Sequence, residues 1–239
     1  MTTTTIDLDA LHLEHGSHKN PDEGMCVMEA VSLMAGEHFT DAPACASPVI
    51  RAFMIGWNDA LPDGDRQQLK QYIPRLIGTA GTPELEVRRS WIALDWLVRV
   101  QAPAWLRLAG LVDQAALLEG MPEVTAASAP SIKAPLQAVR DEAAAKRAAA
   151  RDAAWAAAGD AAWDAAWDAA WAAAGDAAGD AAWAAAWAAA WAAARAAARD
   201  AAWAAAGDAA RAALEPTKVE LQAKAHELIE RLITAEVAM

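Results

Sequence analysis

The sequence predicts an all-α protein: an N-terminal helical domain followed by an Ala- and Trp-rich array of stacked or supercoiled helices. Three observations carry this reading. Between residues 24 and 120 the apolar side chains recur at three- and four-residue spacings, as one face of a helix requires. The chain has one Tyr and two Phe, and no stretch alternates apolar with polar residues as a half-buried strand would. From residue 147 to 214 Ala, the strongest helix former, fills most positions.

Composition divides the chain into zones. Residues 1–23 are polar and carry His12, His15 and His18 without sustained periodicity. Residues 24–120 form the helical globular domain. Its first helix runs from Met25 to Ala35 on the spacing of Val27, Ala30, Val31 and Met34, with Gly36 as its stop. Pro48 opens a second helix with Ile50, Phe53, Met54 and Trp57 on one face, ending in the turn Leu61-Pro62-Asp63-Gly64. A third starts at Asp65 and carries Leu69, Ile73, Leu76 and Ile77, with a kink at Pro74. Thr82-Pro83-Glu84 starts a fourth: Thr82 caps, Pro83 suits the first turn and Glu84 complements the helix dipole. It extends to Pro103, and one or two shorter helices follow between Trp105 and Leu118.

Residues 121–146 read as a Pro- and Ser-containing connector (Pro122, Pro130, Pro135) leading into a charged helix. Residues 147–214 are a tetrapeptide-repeat array of 68 residues in 17 tetrads. Pro216 closes it, and residues 215–239 form a C-terminal amphipathic helix with Val219, Leu221, Ala225, Leu228, Ile229, Leu232 and Ile233 on its apolar face, expected to pack on a domain or on a second copy.

In the array the first slot is Trp, Arg or Gly, the second is Ala or Asp, and the rest are Ala apart from Leu214. Trp fills the first slot at Trp155, Trp163, Trp167, Trp171, Trp183, Trp187, Trp191 and Trp203. The codons TGG, CGG and GGG differ at one base, as do GCC and GAC, so the array reads as a duplicated twelve-base unit scattered by single substitutions. Its geometry still constrains it. At ~3.6 residues per turn a four-residue row drifts about 40° per tetrad. A single straight helix, about 100 Å long, would therefore turn Trp to every side. Each ring left in water forgoes burial of roughly 150–250 Å². Stacked short helices, broken where Gly precedes Asp at Gly159, Gly175, Gly179 and Gly207, keep the Trp row on one face. A continuous right-handed supercoil around a partner is the alternative. The Trp rows then form an interaction surface, with Asp and Arg as a polar rim.

The formal net charge of −12 and pI near 4.8 exclude a nucleic-acid backbone as partner. No apolar run approaches the ~18 residues of a membrane span, and residues 1–20 lack the parts of a signal peptide. Two cysteines make no disulfide framework, so a cytoplasmic location is expected. The residue types that can do chemistry gather near the N-terminus: His18, Cys26, Glu29, His38 and Cys45 are the candidate metal ligands, with Zn²⁺ the ion such donors hold. Their spacing matches no standard zinc motif, and Cys26 also reads as a buried small hydrophobe. Phosphate loops and nucleophile elbows are absent from the sequence. Arg88, Arg89, Trp91 and Asp95 suggest a surface ion pair or a cation–π contact.

The segments GMCVMEAVSLMAGE (24–37), PACASPVIRAF (43–53) and RRSWIALDWLVR (88–99) resemble a group of actinobacterial and phage proteins of unassigned activity. The array is similar to Ala/Trp/Asp/Arg repeats in some phage proteins and in proteins linked to bacterial immunity. The resemblance spans residues 18–110 loosely and the array by composition, and it brings no catalytic residues with it. It implies a GC-rich source, and in a phage setting an inhibitor or sequestering protein acting in the host cytoplasm. The expected function is thus a non-catalytic interaction or assembly protein that binds a protein partner or itself, with a homo-oligomer as one form. A small metal-dependent enzyme built on the Cys/His/Glu cluster is the alternative.

Overall fold

The computed structural model describes residues 6–146, 148–149, 209 and 212–236, and among them the ordered elements are helical with no strand. The array lies outside the described residues, and with it the choice between stacked and supercoiled helices. In chain order the elements begin with a single 3₁₀ turn, Pro21–Glu23, and helices α1 (Val27–Met34), α2 (Pro48–Ala60) and α3 (Asp63–Arg66). A 3₁₀ stretch, Gln67–Tyr72, leads to α4 (Ile73–Leu76) and α5 (Pro83–Trp96). A π-helical turn, Leu97–Gln101, then precedes α6 (Ala102–Leu108) and α7 (Val112–Glu119). Two further helices occupy residues 129–146 (α8) and 212–233 (α9).

The described residues fall into two compact units. Those within Met1–Ala102, Glu119–Pro130 and Gln222–Met239 form the first, and those within Pro103–Leu118 and Ser131–Leu221 the second. The composition zones divide the chain differently, because the core of the first unit draws on both ends of the sequence. Its fully buried side chains include Leu13, Val27, Met28, Ile50, Met54, Leu69, Ile73 and Leu76, together with Leu228, Ile229 and Leu232 of α9. In the second unit Leu106, Leu111, Ala115, Leu118, Ile132, Val139 and Leu221 are buried.

Local chemistry sets several boundaries where the sequence places them. The Ser47 hydroxyl accepts from Ile50 N–H at 3.3 Å and Pro48 fills the first turn of α2. The Thr82 hydroxyl accepts from Leu85 N–H at the start of α5. Gly36, at φ 72°, ends α1: its N–H reaches Leu33 C=O and the next N–H, of Glu37, reaches back to Ser32 C=O. Gly110, at φ 69°, does the same for α6, with Gly110 bonded to Arg107 and Leu111 to Leu106. This pairing leaves two otherwise unpaired carbonyls satisfied and needs a left-handed residue, which is why Gly stands at both.

Elsewhere the elements depart from the expected bounds. The expected third helix is three pieces, α3, a 3₁₀ stretch and α4, because Pro74 supplies no N–H and restarts the chain at the first turn of α4. The turn after α2 shrinks to Leu61 and Pro62, with Asp63 and Gly64 already in α3. Helix does not stop at Pro103. Pro103 cannot donate to Arg99 C=O, and the preceding turn widens so that Ala102 N–H bonds to Leu97 C=O five residues back. Pro216 lies inside α9 rather than before it.

The pair expected on the surface of α5 is also different. Arg89 is buried and donates to Thr79 C=O at 2.6 Å, Glu86 Oε1 at 2.7 Å and Leu232 C=O at 3.0 Å. Asp95 is buried too, and accepts from Arg99 Nε at 2.7 Å and Val124 N–H at 2.9 Å. Arg89 thereby ties α5 to the end of α9.

Two further contacts hold α9 in the first unit. Tyr72 Oη lies 2.7 Å from His226 Nδ1, with the His226 ring edge-on to Trp57 at 4.8 Å between centroids. Arg75 grips the Glu230 carboxylate with both terminal nitrogens, at 2.5 and 2.6 Å. Burial pushes the His226 imidazole below its usual 6.5, against the smaller opposing pull of Glu230. The Arg75 guanidinium holds the Glu230 carboxyl below its usual 4.5. In both cases the unfolded chain takes up the proton first, so both contributions are present at neutral pH and are lost on acidification. We expect the urea midpoint to fall as pH drops from about 6.5 and again below about 4.5. A His226→Asn variant should lose the first step and keep the second, as read by circular dichroism.

Candidate functional site

The candidate site is the place where the polar segment before α1 meets α1 and α2. Met28, Glu29 and Ala30 open a helix that is buried from Val27 to Ser32. Glu29 sits at the third helical position, where a side chain can turn back to the cap residue. Its Oε2 accepts from Cys26 N–H at 2.7 Å, and Cys26 and Glu29 form a reciprocal capping box. The same carboxylate accepts His18 N–H on Oε1 at 2.6 Å and faces His18 Nδ1 at 2.8 Å on Oε2. A carboxylate can only accept, so Nδ1 carries the proton and donates. Glu29 is 1% exposed, and these donors replace the water it gave up.

His18 therefore lies between two carboxylates: Nδ1 on Glu29, and Nε2 3.7 Å from the half-exposed Glu14. Gly24 makes room for this contact. At φ 120° it takes a conformation that L side chains avoid, and a Cβ there would stand 2.8 Å from Glu14 Oε2 and 3.1 Å from His18 Cδ2.

Of the five expected metal ligands, the structure brings His18, Cys26 and Glu29 together and leaves His38 and Cys45 apart from them. His38 is exposed. Cys45 belongs to a second arrangement, in which the Glu37 carboxylate accepts Ala44 N–H at 2.7 Å and Cys45 N–H at 2.8 Å, while Cys45 C=O accepts Ala80 N–H. Among the described residues no group of three or more His, Cys, Asp or Glu side chains is placed to hold a metal ion. Burial pushes the Cys26 thiol up to about 12, so it is not a ready nucleophile at neutral pH. Both oxygens of Glu29 already accept hydrogen bonds. What this arrangement does chemically is hold main chain. The eight array tryptophans, Trp155 to Trp203, lie outside the described residues.

Sequence reasoning missed the residues that complete the arrangement, Glu14, Asn58, Asp59 and Gln67. Asn58 is fully buried: its Oδ1 accepts Val27 N–H at 3.2 Å and its Nδ2 donates to Glu14 C=O at 2.9 Å. The Gln67 amide closes on both main-chain groups of Leu13, accepting N–H and donating to C=O, each at 2.9 Å. Asp59 accepts Gly16 N–H at 2.8 Å. Nothing in the spacing of these residues announces a shared target 43 to 54 positions away.

Replacing Glu29 by Gln turns one acceptor into a donor facing N–H groups, and should cost about 2–4 kcal/mol in equilibrium denaturation. Burial and the Glu37 carboxylate hold the Cys45 thiol above its usual value too, so iodoacetamide at pH 8 should alkylate half-buried Cys45 more slowly than a free thiol in the native protein, and buried Cys26 only once the chain unfolds, as peptide mass mapping would read. Comparison with protein-family models, with curated proteins and with solved structures finds no match to this chain.

Proposed function

We propose that this is a non-catalytic helical interaction protein, in which the first compact unit is a stable scaffold and the tetrapeptide array of residues 147–214 binds a protein partner or a second copy. The observation that carries the reading is the recurrence of Trp at the first slot of eight tetrads. Indole rings supply much of the energy of protein interfaces, and their four-residue spacing keeps neighbouring rings on one helical face over three or four tetrads. The chemistry near the N-terminus is consistent with this. The buried carboxylate of Glu29 is spent on main-chain N–H groups and an imidazole, and the Cys26 thiol is held protonated. The resemblance to phage proteins makes sequestration of a host component the form of binding we favour.

No helix among the described residues is long and apolar enough to cross a membrane. The test compares the full chain with a full-length variant in which the eight array tryptophans are Ala, a substitution that keeps helix propensity. Affinity capture from host extract and sedimentation velocity should both change, by loss of retained protein or of a self-associated species. Identical captured proteins and identical sedimentation would refute the reading.

A further inference from the structure

The segment before α1 is held as a bound peptide is held, and the site that holds it is separable from the segment itself. Leu13 is fully buried in the core, with Leu8 and Leu11 packed against the same cluster. Between these anchors and α1 the fold grips main chain with side chains: Gln67 on both groups of Leu13, Asn58 on Glu14 C=O, Asp59 on Gly16 N–H and Glu29 on His18 N–H. Side-chain amides and carboxylates reading successive main-chain groups, plus one apolar anchor, are how an extended peptide is recognised in a groove. Asn58 is also held by partners outside the segment. Its side chain bonds Val27 N–H, and its C=O accepts from Arg66 Nε at 2.9 Å. Arg66 in turn donates to Leu61 C=O at 2.8 Å and Asp63 Oδ1 at 3.0 Å. A short joint separates segment from scaffold: the Asn20-capped 3₁₀ turn Pro21–Glu23, then Gly24 in the left-handed region.

We propose that the groove lined by Asn58, Asp59, Gln67 and Glu29 is a binding site for a leucine-anchored non-helical segment, filled in cis by residues 8–18 and filled by the same residues of a second copy when two chains exchange them. The occupant is this chain's own segment because the groove fits that segment: Leu13 in the core, and His18 Nδ1 on Glu29 five residues further on. Exchange would reproduce every contact in an isologous dimer, with the joint at residues 20–24 as the part that re-routes. This is independent of the array reading and survives if the array binds nothing.

The test uses the full chain carrying Leu13→Asp, which expels the cis segment, and a fluorescein-labelled synthetic peptide of residues 6–20 standing in for the second copy's segment. Saturable binding is expected by anisotropy. It should be at least about tenfold weaker to the wild-type chain, where the tethered segment competes at high effective concentration. Adding Gln67→Ala should weaken it roughly tenfold more, through loss of two hydrogen bonds. A peptide carrying the same Leu13→Asp change should not bind. If the Leu13→Asp chain loses its helical circular dichroism, the wild-type peptide should restore it. A folded Leu13→Asp chain that ignores the peptide, equal binding of the two peptides, or an unfolded chain that the peptide does not restore would each overturn the proposal.

Discussion

One buried carboxylate constrains how the first unit can be assembled. Glu29 sits in α1, whose residues from Val27 to Ser32 have no solvent-facing member, so its charge has to be met by protein groups. The donors it finds belong to the residues just upstream: Cys26 N–H at the cap, then the N–H and imidazole of His18. Meeting the charge therefore fixes the path of the chain into α1. That path sets Leu13 over the core, where Gln67 and Asn58 take hold of the main chain. Gly24 follows from the same requirement, since a side chain there would collide with Glu14 and His18. A helix that would ordinarily keep its acidic residue in water instead uses it to organise some fifteen preceding residues.

What the sequence made legible was whatever a short window contains. The starts of α2 and α5 are written in Ser47-Pro48 and Thr82-Pro83, and the end of α1 in Gly36, because caps and left-handed turns are settled within four residues. The apolar face of α9 was legible for the same reason, except at Val219, which is exposed. Residues 6–23 were not. Apart from Glu29, eleven positions from His18, the side chains that hold their main chain lie 43 to 54 positions away, which leaves no period and no motif. Arg89 was misplaced on the surface because one of its acceptors, Leu232 C=O, is 143 residues distant. Charged residues on a helix read as solvated unless such a partner is known.

The candidate site was half legible. Cys26, Glu29 and His18 stood out by residue type, and the fold does gather them. Their role was hidden, because Cys is an unusual cap and His, Cys and Glu are metal-ligating residue types, although their spacing matches no zinc motif. In the structure the Glu29 oxygens are paired with Cys26 N–H, His18 N–H and His18 Nδ1. His38 and Cys45 then fall to other work, Cys45 beside the Glu37 carboxylate that orders the approach to α2.

The first unit closes only with α9. Leu228, Ile229 and Leu232 are fully buried, with Ala225 of the same helix, in a core whose other buried members precede residue 100, and Arg89, Tyr72 and Arg75 all reach forward to that helix. A ribosome delivers the N-terminal helices first, then the 68 residues of the Ala-rich array, and only afterwards the segment that seals the interior. Through that interval the nascent chain presents an unfinished apolar surface. The length of the repeat sets how long that surface must wait for its missing wall.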